Sequence, residues 1–139
     1  RRPHRDEARD RARPRRPVRD CGAVLEGAGG MIELPFPPAV LGPNARPHWG
    51  KRARAFKRYK ADCVTLMLNR RKELAGLTAF AVTFHPPTAH RYDTDGLISR
   101  FKAGQDALQV ITGVDDSQFE MTYRRGEPVK GGAVVITCR

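Results

Sequence analysis

Short runs in which apolar and polar residues alternate predict four β-strands. The first run covers residues 31–36, and Pro37 and Pro38 end it. The other three follow later in the chain: one around Phe80, Val82 and Phe84, one around Phe119, Met121 and Tyr123, and one over residues 133–137. A turn over residues 126–132 joins the last two predicted strands, because it begins and ends with glycine.

Two longer segments repeat apolar residues with the 3.6-residue period of an α-helix. Residues 52–74 carry the stripe Phe56, Tyr59, Cys63, Val64 and Met67. The second segment covers about residues 95–110, and its buried face is marked by Leu97, Phe101, Gly104, Leu108 and Ile111. Gly113 stands where a C-terminal cap is expected. The predicted order is β-α-β-α-β-β. The fold class is therefore α+β, a single domain in which two packed helices cover a mixed β-sheet.

Charge divides the chain into two parts. Its 139 residues include 26 Lys and Arg against 15 Asp and Glu, a net charge of +11. Residues 1–30 contain nine Arg, five acidic residues and no aromatic residue. They bury too little apolar surface to offset the entropy of ordering, so we predict a disordered basic arm. Met31 follows directly, which favours an arm outside the natural domain and places the domain at 31–139.

The composition also limits the class of protein. A surplus of positive charge of this size is typical of proteins that bind a polyanion, most often nucleic acid. No apolar run approaches the roughly 18 residues of a membrane span, which argues against an integral membrane protein. Cys21, Cys63 and Cys138 lack the spacing of metal ligands. We interpret them as free thiols and expect a cytoplasmic protein.

The basic residues are concentrated in one stretch that contains no acidic residue. It lies within the first predicted helix, and its side chains are candidates for contacts to DNA phosphates: Lys51, Arg52, Arg54, Lys57, Arg58 and Lys60. An ordinary solvated helix face is the alternative. We also expect Arg91 and Lys130 to contact DNA. Trp49, just before this stretch, is interpreted as a packed loop aromatic, with stacking on an unpaired base as the alternative.

Clustered acidic residues are the exception in so basic a domain. Asp93 and Asp95 lie where a loop becomes the second helix, and Asp115 and Asp116 lie before the next strand. Residues i and i+2 of an extended segment project the same way, so Asp93 and Asp95 can share one ligand, and the chain return can bring Asp116 beside them. Mg²⁺ prefers such oxygen ligands. The alternatives are a helix N-cap at Asp95 and a simple turn at Asp115–Asp116.

A lysine lies near these acids on the second predicted helix. With 3.6 residues per turn, one polar face carries Asp95, Ser99, Lys102 and Asp106 opposite the apolar stripe. Lys102 could reach a phosphate or help to hold an attacking water. The alternative is an exposed lysine paired weakly with Asp106. His85 and His90 do not make a metal pair, because two prolines separate them and no third ligand accompanies them.

Four motifs in order resemble the RusA-type Holliday junction resolvase family. They are residues 34–38 (LPFPP), residues 91–97 (RYDTDGL), residues 106–108 (DAL) after Lys102, and residues 113–118 (GVDDSQ), with residues 130–132 (KGG) before the last strand. The resemblance covers about residues 31–139. This chain differs from the family in three respects: Gly96 stands where the family has Asn, Ser99 stands where it often has a catalytic Lys, and the basic run that usually precedes the motif is thinned to residues 90–92 (HRY). We interpret Lys102, one turn after Ser99, as the replacement for that Lys.

The resemblance implies a RusA-like fold and a dimeric, Mg²⁺-dependent endonuclease that cuts four-way DNA junctions in recombination and repair. It implies Asp93, Asp95 and Asp116 as catalytic and metal-binding residues, with Lys102 as a further catalytic residue and Mn²⁺ as a substitute metal. The partners would be branched DNA and a second copy of the chain. The alternative is a protein that keeps the fold and binds nucleic acid without turnover.

Overall fold

The fold class predicted from the sequence is confirmed. In a computed structural model that describes residues 31–46 and 48–138, the chain forms one α+β domain with a mixed sheet. The predicted arm at 1–30 lies outside the described residues. The elements are β1 (Met31–Leu34), α1 (Trp49–Met67), α2 (Arg71–Leu74), β2 (Ala79–His85), α3 (Thr94–Arg100), α4 (Lys102–Thr112), β3 (Glu120–Arg125) and β4 (Ala133–Cys138).

The four strands lie in the order β1-β4-β2-β3. β4 runs antiparallel to both of its neighbours, and β3 runs parallel to β2. The segment 126–132 joins β3 to β4 as predicted, and it carries the chain past β2, because β3 and β4 are not neighbours in the sheet. Burial explains the arrangement: Val134 and Ile136 of β4 are fully buried, whereas Met121 and Tyr123 of β3 are only partly buried. The more apolar strand takes the centre and the more polar one the edge.

The core lies between one face of the sheet and the helices. Side chains at alternate positions of the strands point into it, as the period of two requires. The buried set from the sheet is Ile32, Leu34, Phe80, Val82, Phe84, Val134 and Ile136. From the helices, Tyr59, Cys63 and Met67 of α1 meet Leu97 and Leu108 of the second helical segment. The opposite sheet face carries polar residues such as Glu33, Thr83 and Arg124.

The first predicted helix is longer at its start and divided at its end. α1 begins at Trp49, three residues before the predicted start, and a 3₁₀ turn at Ala39–Leu41 precedes it. After Met67 the chain passes through a 3₁₀ turn at Leu68–Arg70 and continues as the short α2. The buried stripe is nevertheless the predicted one, since Tyr59, Cys63 and Met67 are buried and Phe56 and Val64 partly buried.

The second predicted helix is divided at Phe101 into α3 and α4. The ψ angle of Phe101 is 2°, outside the helical range. Its ring lies edge-on to the rings of Tyr59 and Phe84, at centroid distances of 6.5 and 5.7 Å. Gly104 makes room for this ring, because a Cβ at Gly104 would lie 2.3 Å from Cε1 of Phe101. Gly113 ends α4 in the left-handed conformation with φ of 73°, as predicted.

Two further expectations concern the cysteines and the membrane. Cys63 is a free, buried cysteine, as expected, and the side chains of Cys21 and Cys138 lie outside the described residues. Within the described part of the chain, every helix is too short or too polar to cross a membrane.

Candidate functional site

The two aspartates of the RYDTDGL motif lie at the start of α3. Asp93 is the N-cap residue, and its side chain makes no capping hydrogen bond. Asp95 follows in the first turn, so the alternative of an N-cap at Asp95 is wrong. Both residues are exposed, and within residues 31–46 and 48–138 neither carboxylate has a hydrogen-bond or ion-pair partner. Both carboxylates are available to an external ligand, but the expected extended segment is wrong, because Asp95 lies in the first turn of α3 and only Asp93 is extended.

A basic cleft of about 580 Å³ adjoins these aspartates. It lies between the loop after β2 and the loop after β3. Its lining residues are Pro86, Thr88, Ala89, His90, Arg91, Arg125, Gly126, Glu127 and Pro128. Nη1 of Arg125 donates a hydrogen bond to the carbonyl oxygen of Tyr92, the residue directly before Asp93. The wall of the cleft is therefore joined to the segment that carries the aspartates.

Arg100 of α3 fixes the same segment from the other side. Its Nη2 donates a hydrogen bond of 2.6 Å to the carbonyl oxygen of Pro37. The guanidinium carbon lies 4.9 Å from the ring centroid of Phe36 and 6.0 Å from that of Tyr92, within the range of cation–π contacts. Burial lowers the pKa of Arg100, and its Nε is buried without a hydrogen-bond partner. Arg100 thus joins the proline turn to the residue before Asp93.

Lys102 begins α4 and contacts two carboxylates. Its Nζ lies 3.0 Å from Oδ2 of Asp116 and 3.6 Å from Oδ1 of Asp106. The hydrogen bond to Asp116 raises the pKa of Lys102, although partial burial works in the opposite direction. The predicted weak pair with Asp106 is confirmed as a contact, but Asp116 is the closer partner. Because its pKa is raised, Lys102 is a cation at neutral pH and not a general base.

Asp115 and Asp116 lie in a turn, which is the alternative to a metal-ligand role that the sequence left open. Asp115 is the N-cap of a 3₁₀ turn at Asp116–Gln118. Oγ of Ser117 donates a hydrogen bond of 2.7 Å to Oδ2 of Asp115, and this bond lowers the pKa of Asp115. Asp115 is thus engaged in local structure, while Asp116 is directed to Lys102.

The fit of a metal to these residues depends on how many carboxylates converge. The described residues contain no group of three or more His, Cys, Asp or Glu side chains placed to hold a metal ion. Asp116 is paired with Lys102, and Asp93 and Asp95 stand apart from it. Mg²⁺ is usually held by one or two carboxylates together with substrate phosphate oxygens and water. Asp93 and Asp95 fit that smaller requirement, and a preformed three-ligand site is absent from this part of the chain.

The predicted DNA-binding residues lie in three places. Lys51, Arg54, Lys57 and Arg58 are exposed on α1, Arg91 lines the basic cleft, and Lys130 is exposed in the connection before β4. Arg52 differs, because its Nη2 donates hydrogen bonds of 2.9 and 3.1 Å to the carbonyl oxygens of Gly42 and Ala45. It holds the loop before α1, so it has less capacity for phosphate than its neighbours.

Sequence reasoning missed Arg100 and Arg125. Arg100 lies three residues after Leu97, next to the buried stripe, and a charged residue at that position signals a role inside the fold. Arg125 and Arg124 form a basic pair at the end of β3. Both arginines contribute to the net charge of the sequence. The position of Arg125 beside Tyr92, however, depends on the parallel pairing of β2 and β3.

Comparison with known proteins gives one relevant relative. A scan against protein-family models finds no match. An uncharacterized protein of Xylella fastidiosa (strain Temecula1 / ATCC 700964) is 33% identical to this chain over 114 residues. The matched region covers 76% of this chain and 73% of that protein. At this identity and coverage, the chain belongs to the same family as the Xylella fastidiosa protein.

Proposed function

We propose that this protein is a Mg²⁺-dependent, structure-selective DNA endonuclease of the Holliday junction resolvase type. The proposal rests on one observation above the others. Asp93 and Asp95 are exposed carboxylates without partners, and they come directly after the chain segment that lines a basic cleft. A cationic cleft attracts phosphate. Carboxylates beside it repel phosphate unless a cation lies between them. Binding alone has no use for such a pair, whereas phosphodiester hydrolysis by a metal ion does.

The residues divide into three roles in this proposal. Asp93 and Asp95 would hold the metal, with Asp116 as a third carboxylate if it leaves Lys102 when DNA binds. The metal would supply an activated water and stabilise charge on the phosphate. Lys102 remains a cation and stabilises negative charge that develops on the phosphate. Arg91 and Arg125 hold the DNA backbone at the cleft, and Arg100 keeps the segment before Asp93 in place.

Partners and cellular role follow from the same proposal. A four-way junction has near-twofold symmetry, so paired cuts require two active sites, and a homodimer would supply them. Branched DNA would be the substrate, in recombination or repair within the cytoplasm. Mn²⁺ would replace Mg²⁺, because both accept oxygen ligands.

A second function is favoured by one observation. Because the described residues hold no three-carboxylate group, and Gly96 and Ser99 depart from the family pattern, the domain could bind branched DNA without cutting it. This alternative uses the same cationic surfaces. It differs in one respect, since it needs neither a metal nor the carboxylates.

A cleavage assay on a labelled four-way junction separates the two functions. We expect cuts in Mg²⁺ and none in EDTA, with a linear duplex of the same sequence left intact. Asp95→Asn should abolish cutting, because it removes a metal ligand while keeping the size of the side chain. The matched control is Glu33→Gln, which neutralises an exposed carboxylate on β1 and should cut normally.

Gel-shift measurements on the same proteins complete the test. Asp95→Asn should bind the junction at least as tightly as the unmodified protein, because a negative charge near phosphate is lost. Junction binding without cutting in either Mg²⁺ or Mn²⁺ would support the binding protein and refute the nuclease. Cutting that persists in EDTA would refute the role of the metal.

A further inference from the structure

The only tryptophan of the chain is exposed at the first residue of α1. Trp49 has 78% of its side chain accessible, the largest value among the large apolar residues that the structure describes. The sequence favoured a packed loop aromatic here, and the structure contradicts it. A tryptophan this exposed gains nothing from the core, and exposed aromatic residues are typical of binding surfaces.

A second ring lies beside Trp49 and is held in place. The rings of His48 and Trp49 have centroids 5.5 Å apart and planes inclined by 31°. Nδ1 of His48 accepts a hydrogen bond of 3.2 Å from the backbone N–H of Gly50, which restrains the imidazole. We call these two rings the aromatic platform. The two rings are tilted relative to each other and both residues are exposed, so the indole of Trp49 is accessible to a planar ligand.

Cations border the platform along the helix. The guanidinium of Arg54 lies over Gly50, since its Nη1 is 3.4 Å from the position that a Cβ at Gly50 would take. Lys51, Lys57 and Arg58 are exposed on the same helix, and the first acidic residue of α1 is Asp62. The described ion pairs involve none of these four basic residues. A planar group next to a row of positive charges matches a nucleobase next to its phosphates.

The loop before the platform is tied to α1. Arg52, one turn after Trp49, donates hydrogen bonds to the carbonyl oxygens of Gly42 and Ala45 in that loop. A surface that is already ordered loses little conformational entropy when it binds. This internal use of Arg52 therefore serves the platform.

We propose that the aromatic platform stacks on an unpaired base of a DNA strand whose phosphates lie along Lys51, Arg54, Lys57 and Arg58. In a duplex both faces of each base are covered by neighbouring pairs, so stacking selects bases that are unpaired or that lose a stacked neighbour where strands exchange at a branch point. Base–aromatic stacking tolerates any base, because every base has a π-face. This inference rests on the proposed DNA substrate and adds a source of selectivity for its structure.

The tryptophan itself provides the first test, because it is the only one in the chain. In EDTA, a single-stranded oligothymidylate of 16 nucleotides should quench the fluorescence of Trp49, since stacking on a base quenches indole emission. A duplex of the same length should bind, as followed by anisotropy of a labelled strand, with much less quenching. Equal quenching by both probes, or none where anisotropy shows binding, would overturn the inference. So would failure of the single strand to bind.

Substitutions provide the second test. Trp49→Ala should weaken binding of the single strand about tenfold and of the duplex less than twofold, and Trp49→Phe should restore most of the loss. The slope of affinity against salt should stay unchanged, because indole releases no counterions. Equal losses for both probes would show an electrostatic or folding effect and contradict the platform. An apolar protein partner would instead be indicated if neither probe responds to Trp49→Ala.

These measurements are independent of cutting, because EDTA removes the metal. Quenching without junction cleavage in Mg²⁺ would refute the nuclease and keep the platform. Cleavage without quenching would refute the platform and keep the nuclease.

Discussion

At the scale of single residues, the role of Lys102 in the proposed reaction can be separated from its contribution to the stability of the fold. Lys102 and Asp116 are 51% and 34% exposed, and an ion pair at such a surface contributes about 0–1 kcal/mol to folding. The pair is therefore too weak to explain Lys102 as a structural residue. The break at Phe101 places Lys102 and Asp95 on different helices, so in the proposed function Lys102 acts through the positive charge that it places beside Asp116.

This separation gives the first prediction. Lys102→Ala should lower junction cutting by about 100-fold, because a cation that stabilises developing charge is lost. The free energy of unfolding, from urea titration, should change by less than about 1 kcal/mol. Asp106→Asn is the control, since it removes only the more distant partner at 3.6 Å and should keep most of the activity. An unchanged cutting rate in Lys102→Ala would return Lys102 to an ordinary surface lysine.

The buried thiol gives a prediction about pH. Burial raises the pKa of Cys63 from 9.0 to about 12, so the folded state keeps its proton where the unfolded chain has lost it. The unfolded state then binds fewer protons, and stability falls as pH rises from about 9 towards 12. Urea unfolding at pH 8.0, 9.0 and 10.0 should show this loss. In Cys63→Ala the loss between pH 9 and 10 should be smaller, and an identical slope would contradict the assignment.

At the scale of secondary-structure elements, periodicity predicted the order and faces of the helices and strands but not their breaks or partners. The stripes through Cys63 and Leu108 are buried as predicted because burial follows directly from the period. The break at Phe101 depends on where its ring packs against Tyr59 and Phe84, which are distant in sequence. The placement of β4 between β1 and β2 is likewise a matter of long-range pairing, which local pattern does not contain.

Two glycines within the broken helix give a matched prediction. At Gly104 a Cβ would lie 2.3 Å from the buried Phe101 ring, whereas at Gly96 the nearest atoms are 3.9 Å away. Gly104→Ala should destabilise the domain by about 1–3 kcal/mol through overpacking. Gly96→Ala should stabilise it by about 0.5–1 kcal/mol through helix propensity. Urea titration measures both, and equal effects of the two substitutions would contradict the described packing of Phe101.

The candidate site was predicted in part for the same reason. Asp93 and Asp95 are only two residues apart, so their common place at the start of α3 could be predicted from the motif. The contact of Lys102 with Asp116 spans 14 positions, and its existence depends on how α4 and the 3₁₀ turn after it lie against each other. The metal and the reaction stay predictions, because they depend on whether Asp116 joins the other two carboxylates when DNA is present.

At the scale of the whole molecule, charge is arranged on separate surfaces. One row of cations lies along α1, and a second group lines the cleft between the loops after β2 and β3. The acidic residues Asp93 and Asp95 lie beside the second group. Two cationic surfaces on one small domain suit a branched ligand, whose arms leave the branch point in different directions.

The salt dependence of binding tests this arrangement. If Lys51, Arg54, Lys57 and Arg58 each neutralise one phosphate, duplex affinity should fall with salt with a log–log slope that includes about −4 from α1. Arg54→Ala should reduce the slope by about 1 and weaken binding to all sequences alike. Arg52→Ala is the comparison, because its bonds to Gly42 and Ala45 predict a loss of stability with little change in slope. If Arg52→Ala reduced the slope and Arg54→Ala reduced stability instead, Arg52 would be the phosphate contact and Arg54 the structural residue.

The central position of β4 has a consequence for how the domain comes into being. Leu34 of β1 pairs with Val134 of β4, a hundred positions later, and β4 also separates β1 from β2. While the ribosome is still making the chain, neither β1 nor β2 has its inner neighbour, and the apolar side chains of both stay uncovered. Contacts this distant in sequence form slowly. A nascent chain therefore cannot complete its sheet until β4 has emerged, and until then its uncovered apolar side chains make it prone to aggregation.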